Sequence, residues 1–108
     1  MEIESITDTI VEICKRLNKS QKYLFNLAKT KSEAERIYRI ELSQELIRLR
    51  AEGTTVAILS DIARGNVAES RYIRDLTDAQ YKSSLETIDS LKSQLSALQS
   101  ILKYKSEN

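Results

Sequence analysis

The chain of 108 residues contains no histidine and no proline, and it has only one cysteine and two glycines. Without histidine it lacks the commonest general base, pH-sensitive group and metal ligand of proteins. It also has no GxSxG motif and no glycine-rich phosphate loop. These absences predict a protein that is not an enzyme and that holds no metal and no cofactor.

The single cysteine, Cys14, excludes an internal disulfide and a paired-cysteine metal site. It lies among Ile10, Ile13 and Leu17, so we predict a small buried apolar residue. The first residues lack the basic flank and apolar run of a signal peptide, and no stretch approaches the ~18 apolar residues of a membrane span. We therefore expect a soluble, cytoplasmic protein with no membrane partner.

The scarcity of proline and glycine favours long helices over sheets, which need frequent turns. Charged residues make up 31% of the chain but leave a net charge of only +1, so the molecule as a whole exerts no strong field on nucleic acid or membrane. The length is that of one domain. We predict a single all-α domain over residues 1–108.

Four helices are predicted, over about residues 2–29, 33–52, 55–64 and 67–105. Ser32 and Glu35 have the spacing of a capping box, which places a helix start after a break near Thr30. Gly53 is positioned to end that helix as its C′ residue. Gly65 is predicted to end the short third helix in the same way, and Asn66 with Glu69 repeats the capping spacing before the last helix.

Two rows of apolar residues alternate by three and four positions, one in the first helix and one in the last, as in a coiled-coil seam. At 1.5 Å per residue the first predicted helix spans roughly 40 Å and the last roughly 55–60 Å, so we expect some apolar surface to be left uncovered in one chain. This predicts an elongated helical bundle or coiled coil that is homo-oligomeric, with a dimer favoured. The residues assigned to the oligomer interface are Ile3, Ile6, Ile10, Ile13 and Leu17 in the first row and Ile88, Leu91, Leu95, Leu98 and Leu102 in the second.

The glutamates of the second predicted helix are candidate metal ligands. They lie among Arg36, Arg39 and Arg48, and no histidine accompanies them, so an exposed, salt-bridged face is the better interpretation. The five tyrosines lie mostly on or beside apolar stripes, which predicts packing in a core or an interface. The glutamates in question are Glu33, Glu35, Glu41 and Glu45.

A basic segment offers a different function. Between Ile13 and Ser32 there are six lysines and arginines and no acidic residue, and Tyr23 and Phe25 lie nearby as possible stacking partners for bases. This face is a candidate for contacting nucleic acid or an acidic partner. Its main residues are Lys15, Lys19, Lys22 and Lys29.

A helix-turn-helix is a second nucleic-acid hypothesis. The segment 56–76 has a short helix, a glycine and then a helix that carries Arg71 and Arg74. Asp61 occupies the position at which that motif usually has a small residue, which weakens the hypothesis.

Residues Tyr38 to Tyr104 contain an LRAEG turn, an IARG turn and a closing helix YKSSLETIDSLKSQLSALQSILKY. In these features the chain resembles small uncharacterised helical proteins encoded by tailed bacteriophages and prophages of Gram-positive bacteria. The resemblance implies a phage protein in the host-cell cytoplasm, and it transfers no activity and no functional residue. Genes of this kind often lie near replication and recombination functions.

These observations predict a non-enzymatic helical protein that acts through protein–protein contact as a homo-oligomer, and a host or phage protein is a further candidate partner. One alternative is a nucleic-acid-binding accessory protein of phage replication or recombination. Another is an inhibitor of a host protein or of a host defence system.

Overall fold

A computed structural model describes residues 2–107 and consists of three α-helices. Helix α1 is Ile3–Ala51, α2 is Val56–Asn66 and α3 is Ala68–Glu107. No strand occurs within residues 2–107. The predicted all-α class is confirmed, and its cause is the near absence of residues that interrupt a helix.

Helix α1 is one uninterrupted helix of 49 residues, so the predicted break near Thr30 and the boundary between residues 29 and 33 are wrong. Ser32 lies in the middle of α1 and caps nothing. No glycine or proline occurs before Gly53, so nothing forces the helix to end. The apolar face also continues across the predicted break, because Leu27, Ala34 and Tyr38 are all buried and follow the seven–four spacing of one helical stripe.

Gly53 follows the end of α1 as its C′ residue, as the sequence predicts. Gly53 has φ +87°, a left-handed conformation that side chains with a Cβ disfavour. Its N–H donates to the Arg50 carbonyl and the Thr54 N–H donates to the Leu49 carbonyl, both at 3.1 Å. This pair of bonds is the Schellman motif, which satisfies carbonyls that the end of a helix would leave without partners.

The short third helix is present as α2, but neither of its predicted end signals is used. Gly65 and Asn66 both belong to α2, and the only residue between α2 and α3 is Val67, with φ −109° and ψ 24°. The Val67 N–H still donates to the Ala63 carbonyl, and the Arg71 N–H donates to the Val67 carbonyl. Because the backbone hydrogen bonds continue through this junction, no left-handed glycine and no N-cap side chain is needed.

The tertiary contacts divide the chain into two compact units. The terminal unit combines the chain up to Asn26 with the chain from Lys82 onward, and the central unit is Leu27–Tyr81. The terminal unit therefore contains the first part of α1 and the last part of α3. The central unit contains the rest of α1, all of α2 and the first part of α3.

The core of the terminal unit is made by the two predicted apolar rows. Ile6 is 0% exposed and Leu91 is 2% exposed, and Ile13 and Ile88 are also buried. A single helix cannot remove one of its own side chains from water to this extent. The two helical segments of this unit therefore cover each other, at roughly 1.5–3 kcal/mol for each fully buried side chain.

The core of the central unit mixes apolar residues with polar groups that find local partners. The Ser70 hydroxyl donates to the Val67 carbonyl at 3.0 Å, and the Thr77 hydroxyl lies 2.9 Å from the Ile73 carbonyl. Within residues 2–107, no buried side-chain nitrogen or oxygen lacks a hydrogen-bond partner, so this polar content carries little desolvation cost. The buried apolar residues of the unit are Leu27, Ala34, Tyr38, Leu49, Ala63 and Val67.

Several residues that were expected inside are exposed. Cys14 is exposed because it lies beside the buried row and not within it. Three of the five tyrosines, Tyr23, Tyr72 and Tyr104, are also exposed, so core packing is wrong for them. Tyr38 is buried and Tyr81 is half-buried, as expected.

We predict that Leu91→Ala lowers the free energy of unfolding by about 2–5 kcal/mol, because it opens a cavity where the side chain is only 2% exposed. Ile101→Ala, on the same helix at 41% exposure, should cost about 1 kcal/mol or less. Urea unfolding followed by circular dichroism measures both. Equal losses would contradict the assignment of Leu91 to the core.

The two glycines provide a second, internally controlled prediction. Gly53→Ala should lower the free energy of unfolding by about 1–2 kcal/mol, because alanine is strained at φ +87°. Gly65→Ala should raise it by about 0.4–1 kcal/mol, because Gly65 is helical and an added Cβ meets no atom within 4 Å. Thermal unfolding of both variants checks the opposite signs, and two shifts of the same sign would refute the prediction.

Candidate interaction surfaces

The ten residues of the predicted oligomer interface all belong to the terminal unit, and nine of them are buried or half-buried there. Its two rows belong to the first part of α1 and the last part of α3, which pack together in this unit. Ile3 is 47% exposed. Four members are buried and the other five are half-buried; the half-buried ones are Ile10, Leu17, Leu95, Leu98 and Leu102.

The premise that one chain is too short to cover its apolar rows therefore fails for the best-buried residues. The predicted first helix ended near residue 29, whereas α1 continues to Ala51. The continuous α1 offers a longer partner to α3, and it allows the two rows to shield one another within the chain. Homo-oligomerisation stays a prediction, and the four buried members of the two rows are already covered within the chain.

The glutamate-rich face of α1 is an ion-paired surface, as predicted. Arg36 pairs with Glu33, and Arg39 Nε lies 2.8 Å from Glu35 Oε1. Within residues 2–107 no group of three or more histidine, cysteine, aspartate or glutamate side chains could hold a metal ion. Exposed pairs at these spacings contribute only a few tenths of a kcal/mol each.

A polar contact between α1 and α2 surrounds Glu45. The Asn66 amide donates to the Glu45 carboxylate at 2.7 Å, and the Arg48 guanidinium also pairs with that carboxylate. Arg48 additionally donates to Glu52 at 2.8 Å. Asn66 was predicted as a helix cap, but its side chain instead ties the end of α2 to α1.

A second polar group of contacts joins α1 to α3 within the central unit. The Arg74 guanidinium lies 4.3 Å from the centre of the Tyr38 ring and 3.8 Å from Glu35 Oε2. Lys31 Nζ lies 3.7 Å from Asp78 Oδ1 and 5.7 Å from the centre of the Tyr81 ring. From the pair Lys31–Asp78 to the pair Glu35–Arg74 the residue number rises by four in α1 and falls by four in α3. These two segments therefore run antiparallel.

This arrangement argues against the helix-turn-helix hypothesis. Arg74 is half-buried and engaged by Tyr38, Glu35 and Asp75, so it is not available to reach a base. The junction between α2 and α3 is a single residue, whereas the motif joins its helices by a turn of about three or four residues. The contacts of Arg74 and Lys31 were not predicted from the sequence. The feature that could have indicated them is the spacing of Lys31, Glu35 and Tyr38 by four and three positions, which places these residues on one face of α1.

The predicted basic face is divided between the two units. Lys15, Lys19 and Lys22 are exposed on α1 in the terminal unit, where Phe25 and Tyr23 are 66% and 59% exposed. A shallow depression of about 460 Å³ lies beside them, lined by Asn18, Gln21, Lys22, Phe25 and Asn26. Lys29 belongs to the central unit and borders a different groove.

That groove is an open, largely apolar depression on the surface of the central unit. It has a volume of about 490 Å³. Its lining consists of Ala34 and Ile37 of α1, Ile73 of α3, and the polar residues Lys29, Thr30 and Glu33 of α1. Ile37 is 39% exposed and Ile73 is 42% exposed. Ile37 lies at the edge of the buried stripe to which Ala34 and Tyr38 belong.

Comparison with known proteins gives no match: no family model, no curated protein and no solved structure corresponds to this chain. No helix within residues 2–107 is both long and apolar enough to cross a membrane. The groove of the central unit and the basic face are the surface features of this chain that bear on function.

The Glu45 contacts predict a specific pH dependence. The hydrogen bond from Arg48, and then that from Asn66, hold the pKa of the Glu45 carboxyl below its ordinary value. The stabilisation is therefore present above the ordinary carboxyl pKa and is lost as the pH falls through the lowered one. Thermal unfolding between neutral pH and about pH 3 should show a smaller acid-induced loss of melting temperature for Glu45→Gln than for the unaltered protein.

Glu41→Gln is the matched control, since it removes one exposed carboxylate from the same helix. An acid profile that changes equally in both variants, or in neither, would remove the special role assigned to Glu45.

Proposed function

We propose that this protein is a non-enzymatic helical interaction protein that forms a homodimer through the apolar groove of the central unit. The main support for the proposal is that Ile37 of α1 and Ile73 of α3 line the same open groove. On the resemblance of residues 38–104 alone, we also propose a phage or prophage origin and action in the host cell.

The apolar surface continues beyond the groove along both helices. Ile40 lies one turn after Ile37 on α1, and Leu76 lies one turn after Ile73 on α3, and each is 42% exposed. Contiguous exposed apolar surface is unfavourable in water, at about 25 cal/mol per Å². Patches of this kind, with polar residues at their edge, are typical of protein interaction sites.

A second copy of the chain is the occupant that fits the charge of the groove. Glu33 on its edge is already paired with Arg36, and the net charge of the chain is only +1. Two copies therefore meet without strong repulsion, and no excess charge in the groove selects an oppositely charged partner. In a twofold dimer the same patch serves both subunits, so one apolar face is sufficient.

The proposed interface is not the one that the sequence predicted. The isoleucine and leucine rows of the terminal unit shield one another within the chain, and their most buried members cannot reach a second copy. Nine of the sixteen large hydrophobic residues that are exposed belong to the central unit. They are Ile37, Ile40, Ile47, Val56, Ile58, Ile62, Tyr72, Ile73 and Leu76.

We predict that Ile73→Asp converts a dimer into a folded monomer, because it places a charge in the apolar groove. Ile101→Asp is the matched control, since Ile101 is on the same helix at almost the same exposure, 41% against 42%, but in the terminal unit. Light scattering across a concentration series should show a dimer for the unaltered protein and for Ile101→Asp, and a monomer for Ile73→Asp. Circular dichroism confirms that all three proteins are helical.

Three results would contradict the proposal. One is an unaltered protein that stays monomeric at high concentration, which would favour a host or phage protein as the partner. Another is a dimer that persists in Ile73→Asp, and the third is a dimer that is lost equally in both variants.

A further inference from the structure

A second surface, on the α1 segment of the terminal unit, carries basic and aromatic side chains that take no part in the proposed dimer interface. The basic residues Lys15, Arg16, Lys19 and Lys22 follow one another within eight positions, and all are exposed. No acidic residue occurs between Ile13 and Ser32. Positive charge is therefore concentrated locally on a chain whose net charge is near zero, and such a distribution attracts anionic partners.

The lysines and the aromatic residues share one side of the helix. At about 100° per residue, Lys15, Lys19 and Lys22 fall within about 60° of each other around α1. Phe25 then lies on one flank of this lysine stripe and Tyr23 on the other. The buried residues Ile6 and Ile13 lie on the opposite side of the helix, so the stripe faces away from the core of its unit.

The exposure of the two rings is the second observation. Phe25 is 66% exposed and Tyr23 is 59% exposed, although burial of rings of this size is strongly favourable. Flat aromatic faces beside basic side chains are the combination that binds unstacked bases together with their phosphates.

The depression beside Phe25 supplies hydrogen-bonding groups. Asn18, Gln21 and Asn26 line it together with Lys22 and Phe25. Amide side chains carry both donors and acceptors, which suits the mixed edges of a nucleobase. A partner that is simply acidic, such as a run of glutamates, would use the lysines but would gain little from the amides and rings.

We propose that this surface, made by Lys15, Lys19, Lys22, Phe25 and the amides beside them, binds single-stranded nucleic acid. Duplex fits less well, because its bases are stacked and cannot lie on the rings. From Lys15 to Phe25 the helix rises about 15 Å, so each surface contacts only a few nucleotides. Three lysine–phosphate contacts predict a slope of about −2 for log affinity against log salt concentration.

The test is fluorescence anisotropy with a labelled oligothymidylate. The unaltered protein should bind at low salt with a slope of about −2. Lys15→Glu/Lys22→Glu should lose at least about tenfold in affinity. Its slope should be shallower, with a magnitude of less than about 1. Lys92→Glu/Lys103→Glu is the matched control, since it makes the same change of net charge at two exposed lysines of α3 in the same unit, and it should bind like the unaltered protein.

A second pair of variants isolates the ring. Phe25→Leu keeps an apolar side chain but removes the stacking surface, and it should weaken binding about fivefold or more. Tyr104→Leu changes an exposed ring of α3 in the same unit and should have no effect. Circular dichroism of each variant verifies the helical fold, which exposed substitutions should leave intact.

Four outcomes would overturn the inference: no binding at low salt, an equal loss of binding in the α3 lysine control, binding unchanged by Phe25→Leu, or competition by a duplex or by polyglutamate that equals competition by the unlabelled oligothymidylate. The last of these would assign the stripe to duplex or to an acidic protein. Because light scattering and anisotropy use different variants, failure of the dimer and failure of this surface are distinguishable.

Discussion

The burial of apolar side chains between α1 and α3 is the interaction on which the structure depends. A long helix of ordinary composition gains little stability from its own backbone, so its persistence requires an apolar face that another helix covers. In the terminal unit Ile6 and Leu91 are almost completely removed from water by this pairing. The sequence predicted that these side chains hold two copies of the chain together, but they are buried within a single chain.

In the central unit the same pair of helices relies partly on charge. Arg74 stacks on Tyr38 and approaches Glu35, and Lys31 approaches Asp78. Contacts of this kind add less free energy than a buried leucine, but they penalise a shifted register because each cation has to meet its own partner. Ion pairing and cation–π contact thus favour one alignment of the two helices in this unit, in addition to its apolar packing. The bond from Asn66 to Glu45 does the same for α2.

The surfaces that remain have different chemistry in the two units. The central unit exposes isoleucine and leucine around a groove with paired charges, and these properties favour association with a surface of the same kind. The terminal unit exposes lysine beside aromatic rings and amides, which favours a polyanion with flat bases. An oligomer that carries several copies of a weak anion-binding surface would bind a long strand more tightly than one copy does, so the two proposed activities are compatible.

Composition and periodicity alone determined the helical class, the existence of the short α2, the ion-paired glutamate face and the end of α1 at Gly53. Each of these depends on residues close in sequence: on the scarcity of glycine and proline, on charges three or four positions apart, or on one glycine that tolerates a left-handed backbone. The same reasoning was wrong at Ser32, Gly65 and Asn66, because a capping signal acts only where the chain leaves the helix, and packing across α1 and α3 decides where that occurs.

Which apolar row meets which, and whether within one chain or between two, was decided by the tertiary structure. An amphipathic stripe in a sequence indicates that an apolar face will be covered, but it does not indicate which surface covers that face. Only the fold shows that Ile13 and Leu91 are covered within their own chain while Ile37 and Ile73 remain open to water. The reason is physical: burial free energy depends on area and not on the identity of the covering surface.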